Sequence, residues 1–408
     1  MSIFSRLTEL LWGAGRGSAM TVAVDTEAGE MVTDHSALSL PVVSASLDVR
    51  AGAVASLPVQ VFRRLSGGAR ELAHDHPLSS VLALRPNERQ TSWEFRQQMQ
   101  RWLDWYRNAY AEIVPGARGA VDALVPLSPT TTYPEIIAGQ IWYRTWDKAR
   151  GQRLLSSDEV WHLRAPPFDD DGKAGLPVLR THADTIGAAL AVHNYGRRFF
   201  RNDGQSGGIL EHPSHFREKA DRDAFMAEWR KARAGRNQHR DAMLEFGIKY
   251  GRASLDNQKS QFLETRKENA LELARIWRIP AHKLNMLDRA TYSNIEHQAL
   301  EFLTDTLLPI IELWEQKINS ELIIDQRYFV EFNVAGLLRG DTRSMYEAFK
   351  MGREGGWLSI NDIRRMLNMN PIEHGNDHLQ PLNMAPAGTR QDQPATPPRR
   401  ATAADLGL

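Results

Sequence analysis

The chain of 408 residues contains no cysteine. Disulfides, thiolate nucleophiles and cysteine-ligated zinc are therefore excluded. No apolar run approaches the roughly 18 residues that a membrane-spanning helix needs. Charge of neither sign dominates: Lys+Arg and Asp+Glu stand at 50 each. A sequence-blind nucleic-acid binder is usually strongly basic, because each neutralised phosphate adds affinity. The balance suits a surface past which a polyanion moves rather than one that grips it, and it suits an ordinary enzyme equally well.

Catalytic signatures are missing too. There is no Gly-x-x-x-x-Gly-Lys-Ser/Thr phosphate loop, so the chain is not an ATP-driven motor, and no Gly-x-Ser-x-Gly, His-Glu-x-x-His or kinase set. Gly13–Ser18 imitates a dinucleotide fingerprint but lacks its third glycine and a preceding strand. His74-Asp75-His76 lacks a nearby third metal ligand and reads as a solvated turn. Asp169-Asp170-Asp171-Gly172 lacks the alternating ligands and bidentate Glu of a calcium loop, and reads as a turn. A metal-dependent hydrolase built on His74, His76 and Asp169–Asp171 is the enzyme alternative. The search returns no enzyme, no cofactor and no metal site.

What is present begins with 42% hydrophobic residues, enough for two or three domains with a core. Met1–Gly13 sets Ile3, Phe4, Leu7, Leu10, Leu11 and Trp12 on one helical stripe, with Arg6 and Glu9 interrupting any signal-peptide core. It reads as an arm that docks on its own or a neighbouring subunit, in a protein assembled in the cytoplasm. Gly13–Ser36 reads as a loose linker. Val43, Leu47, Arg50 and Val54 predict a helix in Pro41–Leu57, and Val59–Phe62 a strand. Thr91 with Glu94 predicts a capping box, followed by a buried face of Phe95, Met99, Trp102, Leu103 and Tyr106. Asn108–Val114 and Ala120–Leu127 read as strands, and Gln140–Trp146 with Asp158–Leu163 as a hairpin around Lys148–Arg153. Trp93, Trp102, Trp105, Trp142, Trp146 and Trp161 read as core or subunit-interface anchors rather than base-stacking platforms.

An out-and-back excursion follows. Thr181–Arg201 and Asn257–Ile279 read as two long helices, joined by a module of about fifty residues where compact folds use short connections. Within the module a helix Ala220–Ala234 is expected to set Phe225 and Trp229 against strands Ile209–Glu211 and Met243–Phe246. Arg230, Lys231, Arg233, Arg236 and Arg240 form a basic run with no acidic residue between Glu228 and Asp241. In a monomer it is a solvated helix end; repeated around a ring it is a positive collar. Further on, Asn294–Leu322 is a helix that Pro309 should kink. Tyr328–Val334 is a strand, Thr342–Gly352 and Ser359–Leu367 form a helical hairpin, and the Pro-, Ala- and Thr-rich segment from Asn383 onward reads as disordered.

The wording of several segments is familiar in order and spacing. They include Val54–Val59, His76-Pro77-Leu78, Arg85-Pro86-Asn87, Asn108–Ile113 and Asp158–Leu163. Phe199-Phe200, Gly207–Pro213, Gln261–Arg266 and Ile276–Pro280 follow. Together they resemble the portal proteins of tailed bacteriophages, the head-to-tail connectors also found in prophages and gene transfer agents. Arg107 stands where that family usually has Gly, and Leu176-Pro177-Val178 replaces a more usual Gly/Ser turn.

The resemblance implies an α+β, portal-type subunit. After an arm and linker (1–37) come a mixed wing (38–178), stem helices (179–201 and 256–279) around a clip (202–255), a tunnel loop (280–295), a spine helix with wing return strand (296–340), a helical crown (341–380) and a tail (381–408). It implies a homo-oligomeric ring, typically of twelve subunits, at the capsid portal vertex of the virion. Double-stranded DNA would pass through it during packaging and ejection. The implied partners are the terminase large subunit, a head-tail adaptor and the major capsid protein, with no membrane. Lys283 and Arg289 would face DNA, and the basic run would dock terminase and adaptor. Gly187, Ala188, Ala189 and Ala191 would let neighbouring stem helices approach. A smaller head-completion or adaptor-like binding protein is the other alternative, against which the length argues.

Overall fold

The computed structural model describes residues 23–66, 69–116, 120–201, 209–213, 216, 218–232, 247–251, 256–286, 300–334, 342–367 and 369–379. The chain divides into two compact units, Met1–Val334 and Ala335–Leu408.

The first unit opens on a hairpin, β1 (Val24–Asp25) with β2 (Met31–Val32), in register Val24↔Val32. Part of the expected loose linker is thus ordered structure. The hydroxyl of Thr26 donates to Glu30 O at 2.7 Å, and Gly187 on a later helix leaves room for the Thr26 side chain, which would lie 2.5 Å from any Cβ there. That glycine serves a contact within its own chain, where the sequence suggested an approach between neighbours. Thr33 and Ser36 cap α1 (Asp34–Leu38) reciprocally.

Helix α2 (Pro41–Ala55) starts on Pro at its first turn, where no amide donor is needed. Its residues Val43, Leu47, Ala51 and Val54 are buried, and it packs on the helix over Ser92–Tyr106. Helix α3 (Pro77–Ala83) is capped by His76, whose Nδ1 accepts from Leu78 N at 3.2 Å. Helix α4 (Ser92–Tyr106) carries the Thr91–Glu94 capping box and buries Phe95, Met99, Leu103 and Tyr106. Trp105 joins that buried face, and Trp102 is half-buried. Each such side chain contributes about 1.5–3 kcal/mol on burial.

Three sheets surround these helices. Strand β3 (Val59–Arg64) lies between β4 (Arg70–Leu72) and the distant β13 (Tyr328–Phe332), with Val330 opposite Val61. Strand β5 (Asn108–Pro115) lies between β6 (Val121–Leu127) and β10 (Val160–Arg164). Strand β8 (Gln140–Asp147) lies between β7 (Thr132–Ile137) and β9 (Gly151–Ser156). The expected hairpin is therefore corrected. Gln140–Asp147 turns directly into Gly151–Ser156, because Asp147 Oδ1 accepts from Ala149 N and Arg150 N and Gly151 takes φ 70. The Ser156–Glu159 capping box then breaks the strand and sends Val160–Arg164 to β5 instead.

A chain of rings ties sheets to helices. Phe95 stacks on Trp161 at 6.5 Å, Trp161 meets Trp314 edge-on at 5.4 Å, and Trp314 meets Phe332 at 6.2 Å. Of the other tryptophans expected at core or interface, Trp93 and Trp146 are exposed.

Helix α5 (Val178–Thr181) leads into α6 (Ala183–Arg201), which runs beside α8 (Asp256–Ile276). Gly196 gives way to the Phe262 ring, 2.7 Å from where a Cβ would stand, and Tyr195 lies 5.7 Å from the same ring. Between the two helices, β11 (Ile209–Glu211) pairs with β12 (Lys249–Gly251), and α7 (Lys219–Ala232) carries Phe225 at 5.9 Å from Phe216. The expected strand Met243–Phe246, against which Phe225 and Trp229 were to pack, lies outside the described residues. A π-helical turn, Phe302–Leu307, precedes α9 (Leu308–Glu321), whose first turn holds Pro309. In the second unit α10 (Thr342–Glu354) and α11 (Ile360–Met366) are the two helices of the expected pair, with Ser359 and Asp362 capping α11. The expected disordered tail lies outside the described residues.

Candidate functional site

The segment expected to face DNA begins where α8 ends. Arg278 takes φ 55, and Ile279 N–H reaches back to Ala274 O at 3.1 Å, a left-handed helix stop. Pro280 then opens a short 3-10 turn, Ala281–Leu284, closed by Asn285 at φ 57. Residues 287–299 lie outside the described residues, and the chain returns at Leu300.

Both feet of this segment rest on one buried polar cluster. Trp277 is fully buried; its indole donates to Asp104 O at 3.0 Å and stacks on Trp105 at 6.3 Å. Arg50 donates to Trp277 O at 3.1 Å and pairs with Asp104 Oδ1 at 3.1 Å. Gln100 donates to the same carboxylate at 2.9 Å and accepts from the Trp314 indole at 2.7 Å. Burial pushes the Asp104 carboxyl above the usual carboxylate range, while Arg50, Arg107 and Gln100 pull the other way. Deleting one partner of such a buried pair costs about 3–5 kcal/mol, since it strands a charge away from water. On the returning side, the Thr306 hydroxyl donates to Arg278 O at 2.8 Å. The two feet are therefore bonded to each other as well as to the core.

Lys283 lies on the 3-10 turn, exposed, with its ammonium 5.5 Å from the Phe302 ring centroid. A cation over an aromatic face is attracted by the ring quadrupole. Arg289 lies outside the described residues. Of the basic run, Arg230 sits on α7 and Lys231 is exposed on that helix; Arg233, Arg236 and Arg240 lie outside the described residues. Along the chain, helix α8, 21 residues or about 30 Å long, stands between Lys283 and the helix that carries Lys231.

The weaker candidates resolve into structural roles. Asp75 pairs with Arg63 at 2.7 Å, and His76 lies against Tyr328 at 4.6 Å. Asp169 accepts from Ala174 N and pairs with Lys173 at 3.0 Å, holding a turn. Among the described residues no group of three or more His, Asp or Glu is placed to hold a metal. The cluster Arg50–Asp104–Trp277 escaped prediction as a functional anchor. Its signal was there: Arg50 interrupts the apolar spacing of Val43, Leu47 and Val54, and Asp104 follows the polar residues Arg96 and Gln100 at four-residue steps along one helix face.

A model of the phage portal protein family matches residues 41–368 of the sequence, most of its length. The chain belongs to that family. The portal protein of Enterobacteria phage HK97 is 29% identical over 361 residues, covering 87% of this chain and 84% of the relative. The crystal structure of an HK97-family phage portal protein from Corynebacterium diphtheriae shares the fold, with TM-score 0.56 and 18% identity over 80% of this chain and 99% of the other. A chain in the neck of a native gene transfer agent particle, computed with C12 symmetry, matches with TM-score 0.55 and 19% identity over 91% and 100% of the two chains. Portal proteins are structural components of the particle, and this α+β chain is one of them. No helix among the described residues is long and apolar enough to cross a membrane.

Proposed function

We propose that the chain assembles head to tail into a closed ring, of twelve copies at the capsid portal vertex, and conducts double-stranded DNA without catalysis of its own. The observation that carries this is the paired excursion of α6 and α8, locked by Phe262 against Gly196, in a chain that belongs to the portal family. On this reading 38–178 is the wing, 179–201 and 256–279 the stem, 202–255 the clip, 280–295 the tunnel loop, 296–340 the spine with its return strand, and 341–380 the crown. The neck computed with C12 symmetry supports the ring number. Assembly takes place in the host cytoplasm, before the ring joins the major capsid protein.

Lys283 and Arg289 then make weak, salt-sensitive phosphate contacts inside the channel. Near-zero net charge leaves the rest of the surface with little grip on DNA. The basic run of the clip meets the terminase large subunit during packaging and a head-tail adaptor afterwards. Native mass measurement with negative-stain imaging tests the ring directly. Closed rings with a central opening are expected without nucleotide or metal. Monomer at every concentration, in low and high salt, overturns the reading.

A further inference from the structure

The β7–β8–β9 sheet buries only one of its faces. Thr132, Pro134, Tyr143, Thr145 and Leu155 point inward. On the opposite face, the registers Tyr133↔Arg144↔Leu154 and Glu135↔Trp142 bring aromatic and aliphatic side chains together. Trp146 at 53% and Leu154 at 42% exposure are uncovered there. Arg144 grips Glu135 through two hydrogen bonds, at 2.9 and 2.8 Å. The centre of the face is thus neutral, which disfavours a phosphate backbone as its occupant. Trp, Tyr and Arg in one patch are the composition of an interface hot spot, and monomers rarely leave such patches open. At its rim, the β8–β9 turn carries the exposed cation Lys148.

A second patch in the same unit is complementary. On the β1–β2 hairpin, Met31 is 65% exposed and sits directly across from Asp25. Glu27 follows, its amide bonded to Asp184 Oδ1 at 3.2 Å. Asp25, Glu27 and Asp184 are exposed and form no ion pair with a cation among the described residues. A methionine among carboxylates fits an aromatic face rimmed by lysine, since thioether–ring contacts are favourable and the charges attract. Head-to-tail closure requires two different patches on each subunit.

We propose that the outward face of the β7–β8–β9 sheet receives the β1–β2 hairpin of a second copy of this chain. The inference rests on ring assembly and specifies its contact. Trp142→Ser with Trp146→Ser alters side chains outside the buried core, so thermal melting should stay close to wild type. The concentration at half-assembly should rise at least about tenfold, given the weight of buried tryptophans. Lys148→Glu should weaken assembly, and adding Asp25→Lys should restore it. Because the chain has no cysteine, Met31→Cys with Trp146→Cys gives a clean cross-linking pair, and oxidation should yield a ladder of multimers. A tryptophan double variant that forms rings at the wild-type concentration, or a cysteine pair that gives no ladder, overturns the contact while leaving the ring intact. Rings that form normally but no longer hold the capsid or adaptor protein would assign the face to another occupant and equally overturn it. A wild-type chain that never forms rings removes the ring reading first.

Discussion

Arg107 sits at φ 57, at the end of α4, where a non-glycine residue costs about 1 kcal/mol. The backbone around it is tightly packed: Arg107 O accepts from Ala165 N at 2.9 Å and crowds Gly175, where a Cβ would lie 2.4 Å from both Arg107 O and Ala165 O. Gly175→Ala should therefore destabilise the fold by about 3 kcal/mol, at the upper end of overpacking costs, readable as a fall in denaturant midpoint. A nearby residue sets a pH dependence. His162 is buried, bonded to Tyr143 Oη at 3.2 Å and Asn108 Oδ1 at 2.9 Å. Burial holds its imidazole well below the usual range, helped by Lys317 and Arg164. The folded pKa is the lower one, so stability is complete above the unfolded value near pH 6.5. It is lost as pH falls toward the folded value, by about 1.4 kcal/mol per pH unit. His162→Gln should be less stable at pH 7.5 yet lose less between pH 7.5 and 5.5 than wild type. His76, His182 and His193 are lowered too, but they contribute equally to both proteins. Equal losses would clear His162 of the effect.

At the scale of elements, Pro309 was expected to kink a helix, and the structure places a π turn, Phe302–Leu307, directly before the turn that holds it. Leu308 N–H bonds Leu303 O, five residues back, and Pro309 has no amide to offer. Two explanations for the wide turn compete: the missing donor and the burial of the residues in it. Restoring a donor is worth about 1 kcal/mol. A return to regular α-helix would rotate Phe302 and Leu303, both buried, by about 100° and expose side chains worth about 1.5–3 kcal/mol each. Burial wins, so Pro309→Ala should keep the π turn and the Thr306–Arg278 bond. Only with Phe302→Ala added should a regular helix appear, as judged by carbon chemical shifts or a crystal structure. A regular helix in the single variant would show that proline alone sets the turn. The same reasoning explains which elements the sequence revealed. The Thr91–Glu94 and Ser359–Asp362 boxes are local, so their helix starts were legible. The pairing of Val160–Arg164 with β5 was not, since strand neighbours depend on turn geometry that alternation alone does not encode.

For the whole molecule, two charge sets carry separate expectations. Lys283→Ala with Arg289→Ala should leave rings intact and lower the DNA packaged or retained. Unchanged packaging would remove these residues from the channel. Reversal of Arg233, Arg236 and Arg240 to Glu should preserve rings but slow association of terminase or adaptor, most visibly at low salt, because long-range charge chiefly speeds docking. Wild-type association rates at low salt would reduce the run to a solvated helix end.

By itself the sequence determined what is local or compositional: the helix caps, the apolar faces of α2 and α4, the absence of thiol chemistry, and the long excursion between two helices. Those features depend on neighbours within a few residues, or on counts. Only the tertiary structure decided that Tyr328–Phe332 completes the sheet of Val59–Arg64, that Gly187 faces Thr26 of its own chain, and that Arg50 and Asp104 clasp Trp277 beneath the candidate channel loop. Each of these contacts joins residues more than fifty positions apart. Their pairing is fixed by how whole faces pack together, because a buried charge and a glycine gap have meaning only beside the partner that fills them.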